Sequence, residues 1–138
     1  MRLLLDTCVI IDWLTDADPF EQNVWDILND PDTKLYVSAE TARELIVSFN
    51  NKRLLSKYWK TAEEMLIAMK EEAMVDILPI SERTMFTYSR LSLNEAQEHH
   101  DPSDHVIIAH AITEHLTLLS SDQKFAFYRS QGLDLLEY

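Results

Sequence analysis

The sequence predicts an α/β fold of three layers, with helices on both faces of a central, mainly parallel sheet of four to five strands. Three observations predict it. Short apolar runs alternate with longer stretches of helical spacing along the whole chain. Leu3-Leu4-Leu5 is a continuous apolar run, as expected of a strand buried on both faces of a parallel sheet. Hairpin signals are missing, since no Asn-Gly or Asp-Gly pair occurs.

The elements follow in order. After the first strand, Thr7 to Leu14 reads as helix and Pro19 to Leu28 as a second, amphipathic one. Pro31-Asp32 marks a turn before a second strand at Leu35-Tyr36-Val37. Ser38 is a natural N-cap for a helix to about Ser48. Residues 55–74 predict one long helix, with Trp59, Ala62, Leu66 and Met69 at helical spacing. Val75, Ile77 and Leu78 form a third strand closed by Pro79, and Glu82 to Glu98 is mostly helical. Asp101-Pro102 opens a very apolar helix. Leu116 to Leu119 is a fourth strand, a short helix follows Asp122, and Leu133 to Leu136 is a final strand. Strands separated by helices imply right-handed crossovers. The 138 residues suit one domain spanning 1–138.

Composition removes several function classes. Glycine occurs once, at Gly132, so neither a Walker loop nor a dinucleotide-binding fingerprint can be built. Cysteine occurs once, at Cys8, which excludes a disulfide framework and a Cys-based zinc site and fits a reducing compartment. Cys8 reads as a small buried hydrophobe. Asp6 cuts the N-terminal apolar run short of a signal peptide. No run approaches the roughly 18 apolar residues of a membrane span. A cytoplasmic protein is the expectation. The net charge of −12 opposes nucleic-acid binding unless cations intervene.

Four acids carry the chemistry. In an open parallel sheet, sites form beyond the carboxyl ends of the strands. Asp6 ends the first strand, Asp122 follows the fourth, and Glu44 lies about two turns into the helix leaving the second. Asp104 opens the helix that feeds the fourth strand, so topology constrains it less. Each acid also has a plain structural reading. Asp6 and Asp122 can cap the next helix, Asp101 and Asp104 can start theirs, and Glu44 can be a solvated helix residue. Clustered carboxylates raise each other's pKa, and a hard divalent cation, Mg²⁺ or Mn²⁺, resolves that conflict. Such a cation also promotes phosphoester hydrolysis.

The ordered motifs resemble PIN domains, most of all the VapC-type toxin ribonucleases of toxin–antitoxin pairs. The carriers are Met1 to Thr7; Tyr36 to Ala39 with Thr41 and Glu44-Leu45; Asp101 to Asp104 continuing through Ile107-Ile108-Ala109; and Leu116 to Asp122 with Phe125 and Tyr128. The resemblance implies a metal-dependent endoribonuclease with Asp6, Glu44, Asp104 and Asp122 as ligands. It assigns Thr7 and Ser120, with Asp101 in reserve, to orienting those acids. It further implies an RNA substrate, a homodimer and a cognate antitoxin protein. Many relatives carry Arg where His105 stands, so the resemblance implies here a phosphate contact that is either weakened or made pH-dependent.

Residues 45–60 hold Lys52, Arg53, Lys57 and Lys60 and no acid, interleaved with Phe49, Tyr58 and Trp59. With Arg43 and His105, Lys52, Arg53 and Lys57 are the candidate RNA contacts. The competing reading buries the aromatics and leaves the lysines solvated. His105, His110 and His115 recur every five residues, which suits no zinc pair on one helix face. Two rival functions compete with the ribonuclease reading. A haloacid-dehalogenase-like phosphotransferase would need a second Asp where Cys8 stands. A catalytically silent module with the same fold would bind an antitoxin or other protein and cut nothing.

Overall fold

Three leucines fix the centre of the molecule. The computed structural model describes residues 1–52 and 54–138. Its strands are β1 (Arg2–Leu5), β2 (Lys34–Ser38), β3 (Val75–Leu78), β4 (Thr117–Ser120) and β5 (Asp134–Glu137). Its helices are α1 (Thr7–Thr15), α2 (Gln22–Leu28), α3 (Ala39–Asn50), α4 (Ala62–Glu71), α5 (Glu82–Arg90) and α6 (Pro102–Glu114). The sheet has the order β3-β2-β1-β4-β5, and every neighbouring pair is parallel. β1 is central, with Leu4 opposite Tyr36 on one side and Leu118 on the other.

The strand pleat divides the apolar residues between two cores. Leu3, Leu5, Leu35, Val37 and Leu119 join Val9, Ile10, Leu45, Met65 and Met69 on the α1–α4 face. Leu4, Leu118 and Leu135 join Ile107, Ile108, Phe125 and Tyr128 on the α6 face. This is the three-layer α/β arrangement predicted, with five strands and no antiparallel pair among the described residues.

Two predicted helices are shorter than their spacing suggested. The single helix over 55–74 is instead a 3-10 segment, Leu54–Lys57, and then α4. Thr61 causes the break. It takes extended backbone angles, and its hydroxyl accepts from the Glu64 N–H at 3.1 Å. Glu64 accepts in turn from the Lys60 N–H at 3.1 Å, close to a capping box. The helix expected over Glu82 to Glu98 ends at Arg90, and Asn94 then caps a 3-10 turn at Glu95–Gln97. The segment Gln123–Gln131 is also 3-10, and Gly132 closes it at φ +103°, a left-handed conformation that suits glycine. Among the described residues, no helix is long and apolar enough to cross a membrane.

Leu4 is fully buried at the sheet centre against the α6 core. Leu4→Ala should therefore destabilise the chain by about 2–5 kcal/mol. Urea unfolding measures this, and a loss under about 1 kcal/mol would mean that the α6 core repacks freely.

Candidate active site

The carboxyl edge of the sheet brings the acids together. Asp6 leaves β1 while its N–H still donates to the Leu119 carbonyl at 3.0 Å, extending the β1–β4 ladder by one residue. Asp122 sits two residues beyond β4, Glu44 lies on α3, and Asp104 is in the first turn of α6. All four line one cleft of about 540 Å³, together with Asp101, and Lys124 supplies a cation to the same wall. Asp104, the acid least constrained by topology, reaches it because α6 starts at this edge and runs back to the start of β4.

Each acid is held by named partners. Asp6 Oδ1 accepts from the Thr7 N–H at 2.8 Å and Oδ2 from the Ser120 hydroxyl at 2.9 Å. The same Ser120 oxygen accepts from the Asp122 N–H at 3.1 Å, so one buried hydroxyl ties two acids. Asp122 Oδ1 accepts from the Lys124 N–H at 2.9 Å. The Thr7 hydroxyl donates to Glu44 Oε1 at 2.7 Å. It therefore accepts from Thr41 Oγ1, 2.9 Å away. Asp104 Oδ2 lies 2.9 Å from His99 Nε2. Asp101 caps α6 through the Ser103 N–H at 2.9 Å and stays exposed at the cleft rim. The capping readings of Asp6, Asp101 and Asp122 thus hold alongside their place in the cleft.

Crowding and burial shift these acids. Burial pushes Asp6 up to about 6, with repulsion from Asp104 and Asp122 added and the Ser120 and Thr7 bonds opposing. Burial pushes Asp104 up to about 7, helped by Asp101, Asp122 and Glu44 and opposed by Lys124. Glu44 is raised by burial despite its bond from Thr7. Among the described residues, no three His, Cys, Asp or Glu side chains form a compact cage for an ion. The acids line a cleft rather than enclose a point. Their donor set still suits a hard cation, because each carboxylate has about four acceptor sites and none has all of them used.

Several expectations need correction. His105 cannot touch RNA as placed, because it is buried and its Nε2 bonds the His99 carbonyl at 3.0 Å. Cys8 is exposed at the cleft rather than buried in the core, and partial burial of its sulfur, with repulsion from the nearby acids, pushes the thiol up to about 11. It is protonated and unreactive at neutral pH. Arg43 is exposed, pairs with Glu40, and lines a hollow of about 300 Å³ that shares Thr7, Ile11 and Glu44 with the cleft. Lys52 and Lys57 are exposed on the chain after α3, and Arg53 lies outside the described residues. Phe49 and Trp59 pack into the α1–α4 core, and Tyr58 is exposed.

His99, a loop residue outside any helical spacing, carries no sequence signal that marks it for the cleft. Lys124 is signalled by standing two positions beyond Asp122.

A family model described as PIN domain matches residues 3–130. The chain belongs to the PIN domain family. A sequence search of curated proteins finds no significant match. Solved structures share this PIN domain's fold along nearly its whole length. VapBC-1 from nontypeable Haemophilus influenzae superposes with a TM-score of 0.75 at 20% identity, covering 99% of this chain and 98% of that one. VapBC2 from Rickettsia felis, bound to a DNA fragment from its promoter, gives 0.74 at 18% identity with the same coverage. FitAcB from Neisseria gonorrhoeae gives 0.67 at 24% identity, covering 98% and 96%.

The raised acids make a signed prediction for the metal-free PIN domain. The ordinary value for Asp6 and Asp104 is 3.8, and both are held higher in the folded chain. Their contribution is therefore full below about pH 4 and is lost as pH rises through about 6 and 7. In chelator, Asp104→Asn should melt above wild type at pH 7.5 by several degrees, on the order of 1 kcal/mol, with the gap closing at pH 4. A variant that melts lower than wild type at pH 7.5 would show that repulsion does not dominate at Asp104.

Proposed function

We propose that this PIN domain is a metal-dependent endoribonuclease that hydrolyses RNA phosphodiester bonds, and that it is the toxin of a toxin–antitoxin pair. One observation carries the reading. Four acids from separate elements gather in one cleft, where burial and mutual repulsion hold Asp6, Glu44 and Asp104 above the ordinary carboxylate range. Such a group is relieved at neutral pH by a cation. Asp6, Glu44, Asp104 and Asp122 are the ligands, and their oxygen-only chemistry favours Mg²⁺ or Mn²⁺. When bound, an ion of this kind would supply charge neutralisation at the scissile phosphate and would lower the pKa of water so that hydroxide is available to attack.

The chain's own residues do the rest. Ser120 fixes Asp6 and the backbone of Asp122, and Thr7 fixes Glu44, so these acids keep one orientation. α1, α6 and the Gln123–Gln131 segment all present their N-termini at this edge, and their dipoles favour carboxylate and phosphate alike. Lys124 lines the cleft among the acids and draws phosphate toward it. Arg43 gives the strand a cationic path out of the cleft, with Lys52 and Lys57 on the chain beyond. The shared fold with VapBC complexes, one of them described as a toxin–antitoxin system, supports an antitoxin partner; a homodimer acting in the cytoplasm completes the reading.

The test is cleavage of end-labelled RNA by protein free of any co-purified partner, with Mn²⁺ or with chelator. Cutting should require Mn²⁺ and fall by about two orders of magnitude or more in Asp104→Asn. Wild type that neither cuts nor gains thermal stability from Mn²⁺ would sink the reading and favour a silent interaction module. RNA affinity offers a second check. With its net charge of −12 and its acid-lined cleft, the metal-free chain should bind RNA at least tenfold more weakly, roughly, than the Ca²⁺-loaded chain. Equal binding in chelator, measured by fluorescence anisotropy, would place the RNA-binding surface away from the cleft.

A further inference from the structure

A buried hydrogen-bonded chain ends on Asp104. The Asn94 N–H donates to the Tyr128 hydroxyl oxygen at 3.1 Å. A backbone amide can only donate, so that oxygen accepts here. Tyr128 is fully buried, and its own proton needs an acceptor. His99 Nδ1 lies 3.1 Å away. Nδ1 is therefore the bare nitrogen, and the imidazole proton sits on Nε2, 2.9 Å from Asp104 Oδ2. The amide fixes the Tyr128 oxygen as an acceptor, and the tyrosine proton, directed at Nδ1, sets the rest of the chain.

The ring has no freedom to leave. His99 is 2% exposed and packs against the rings of His105, Phe125 and Tyr128 at centroid distances of 4.8, 5.4 and 5.6 Å. Its N–H donates to the Asn94 carbonyl at 3.0 Å, and its carbonyl accepts from His105 Nε2 at 3.0 Å. Asn94 is itself anchored. Its side-chain amide donates to Gln97 Oε1 at 2.7 Å and to the Lys124 carbonyl at 3.1 Å, which ties this loop to the segment after Asp122.

We propose that His99 is a positioning residue: the Asn94–Tyr128–His99 chain holds Oδ2 of Asp104 and leaves Oδ1 to the cation. The proposal rests on the metal-carboxylate reading above and adds to it a fixed tautomer and a donor for one ligand. Groups that orient a ligand in this way are worth roughly 10–100-fold in metal affinity.

The experiment uses the full chain at one pH, without RNA, and reads Mn²⁺ affinity by electron paramagnetic resonance. His99→Phe keeps a ring in the pocket and removes both nitrogens. His99→Gln keeps an N–H near the place of Nε2. Tyr128→Phe removes only the hydroxyl. The expectation is that His99→Phe weakens Mn²⁺ binding about 10–100-fold, His99→Gln restores most of it, and Tyr128→Phe loses several-fold. Long-range ¹H–¹⁵N spectra of metal-free wild type should show His99 protonated at Nε2, with that preference relaxed in Tyr128→Phe. In RNA cleavage, the loss in His99→Phe should appear in kcat at limiting Mn²⁺, be recovered by excess Mn²⁺, and leave KM for RNA unchanged. Wild-type affinity in His99→Phe, or an Nδ1-protonated tautomer, would overturn the proposal while leaving the metal site standing. Wild type that binds no Mn²⁺ would overturn the metal site, and the role of His99 with it. Should His99→Phe fail to fold, unchanged affinity in Tyr128→Phe overturns the chain and a several-fold loss supports it.

Discussion

β1 has four residues, and the three leucines in it are inaccessible to solvent. Parallel neighbours pair with it on both sides, and one core closes on each face. A slip of one residue in its register would turn Leu3 and Leu5 toward α6 and Leu4 toward α1, exchanging the two cores. That penalty fixes where β1 ends. Asp6 stands at its end, still bonded to β4 through its backbone, so the position of the cleft is inherited from the packing of the sheet. β2 and β4 are fixed in turn by their pairing with β1, and they deliver α3 with Glu44 and the turn with Asp122.

Gathering acids at one edge opposes folding, and the chain offsets this with bonds that each serve two purposes. Asp6, Asp101 and Asp122 end unsatisfied helix termini while lining the cleft. Ser120 donates to one acid and accepts from the backbone of another. Thr41 and Thr7 relay a proton donor from the core to Glu44. Residual strain remains in the raised acids, as is usual where stability is given up for function. Capping a helix and lining the cleft are therefore not competing explanations of these residues.

The layers, the parallel sheet and the common location of the acids were legible in the sequence, because apolar period and strand ends report them directly. Asp104 was legible only through the motif around it, since topology left its helix start unconstrained. The long helix assigned to 55–74 failed because spacing alone was read, although Thr61 and Glu64 spell a helix start. His105 and Cys8 were misplaced for a related reason. Position 105 faces the ring cluster of His99, Phe125 and Tyr128, whereas position 8 faces the cleft, and neither local pattern declares which side of its helix is covered. His99 and Asn94 act from a loop, where no periodicity exists to mark them.

The bond from Ser120 to Asp6 joins residues 114 positions apart, and β1 gains its second neighbour only when β4 arrives. During synthesis, Asp6 is made well before Ser120 and Asp122. The emerging chain can pair β1 with β2 early, but the acid cluster lacks a wall until β4 and the turn after it have been made. The cleft is thus among the last parts of the fold to be completed, although its first acid is made early.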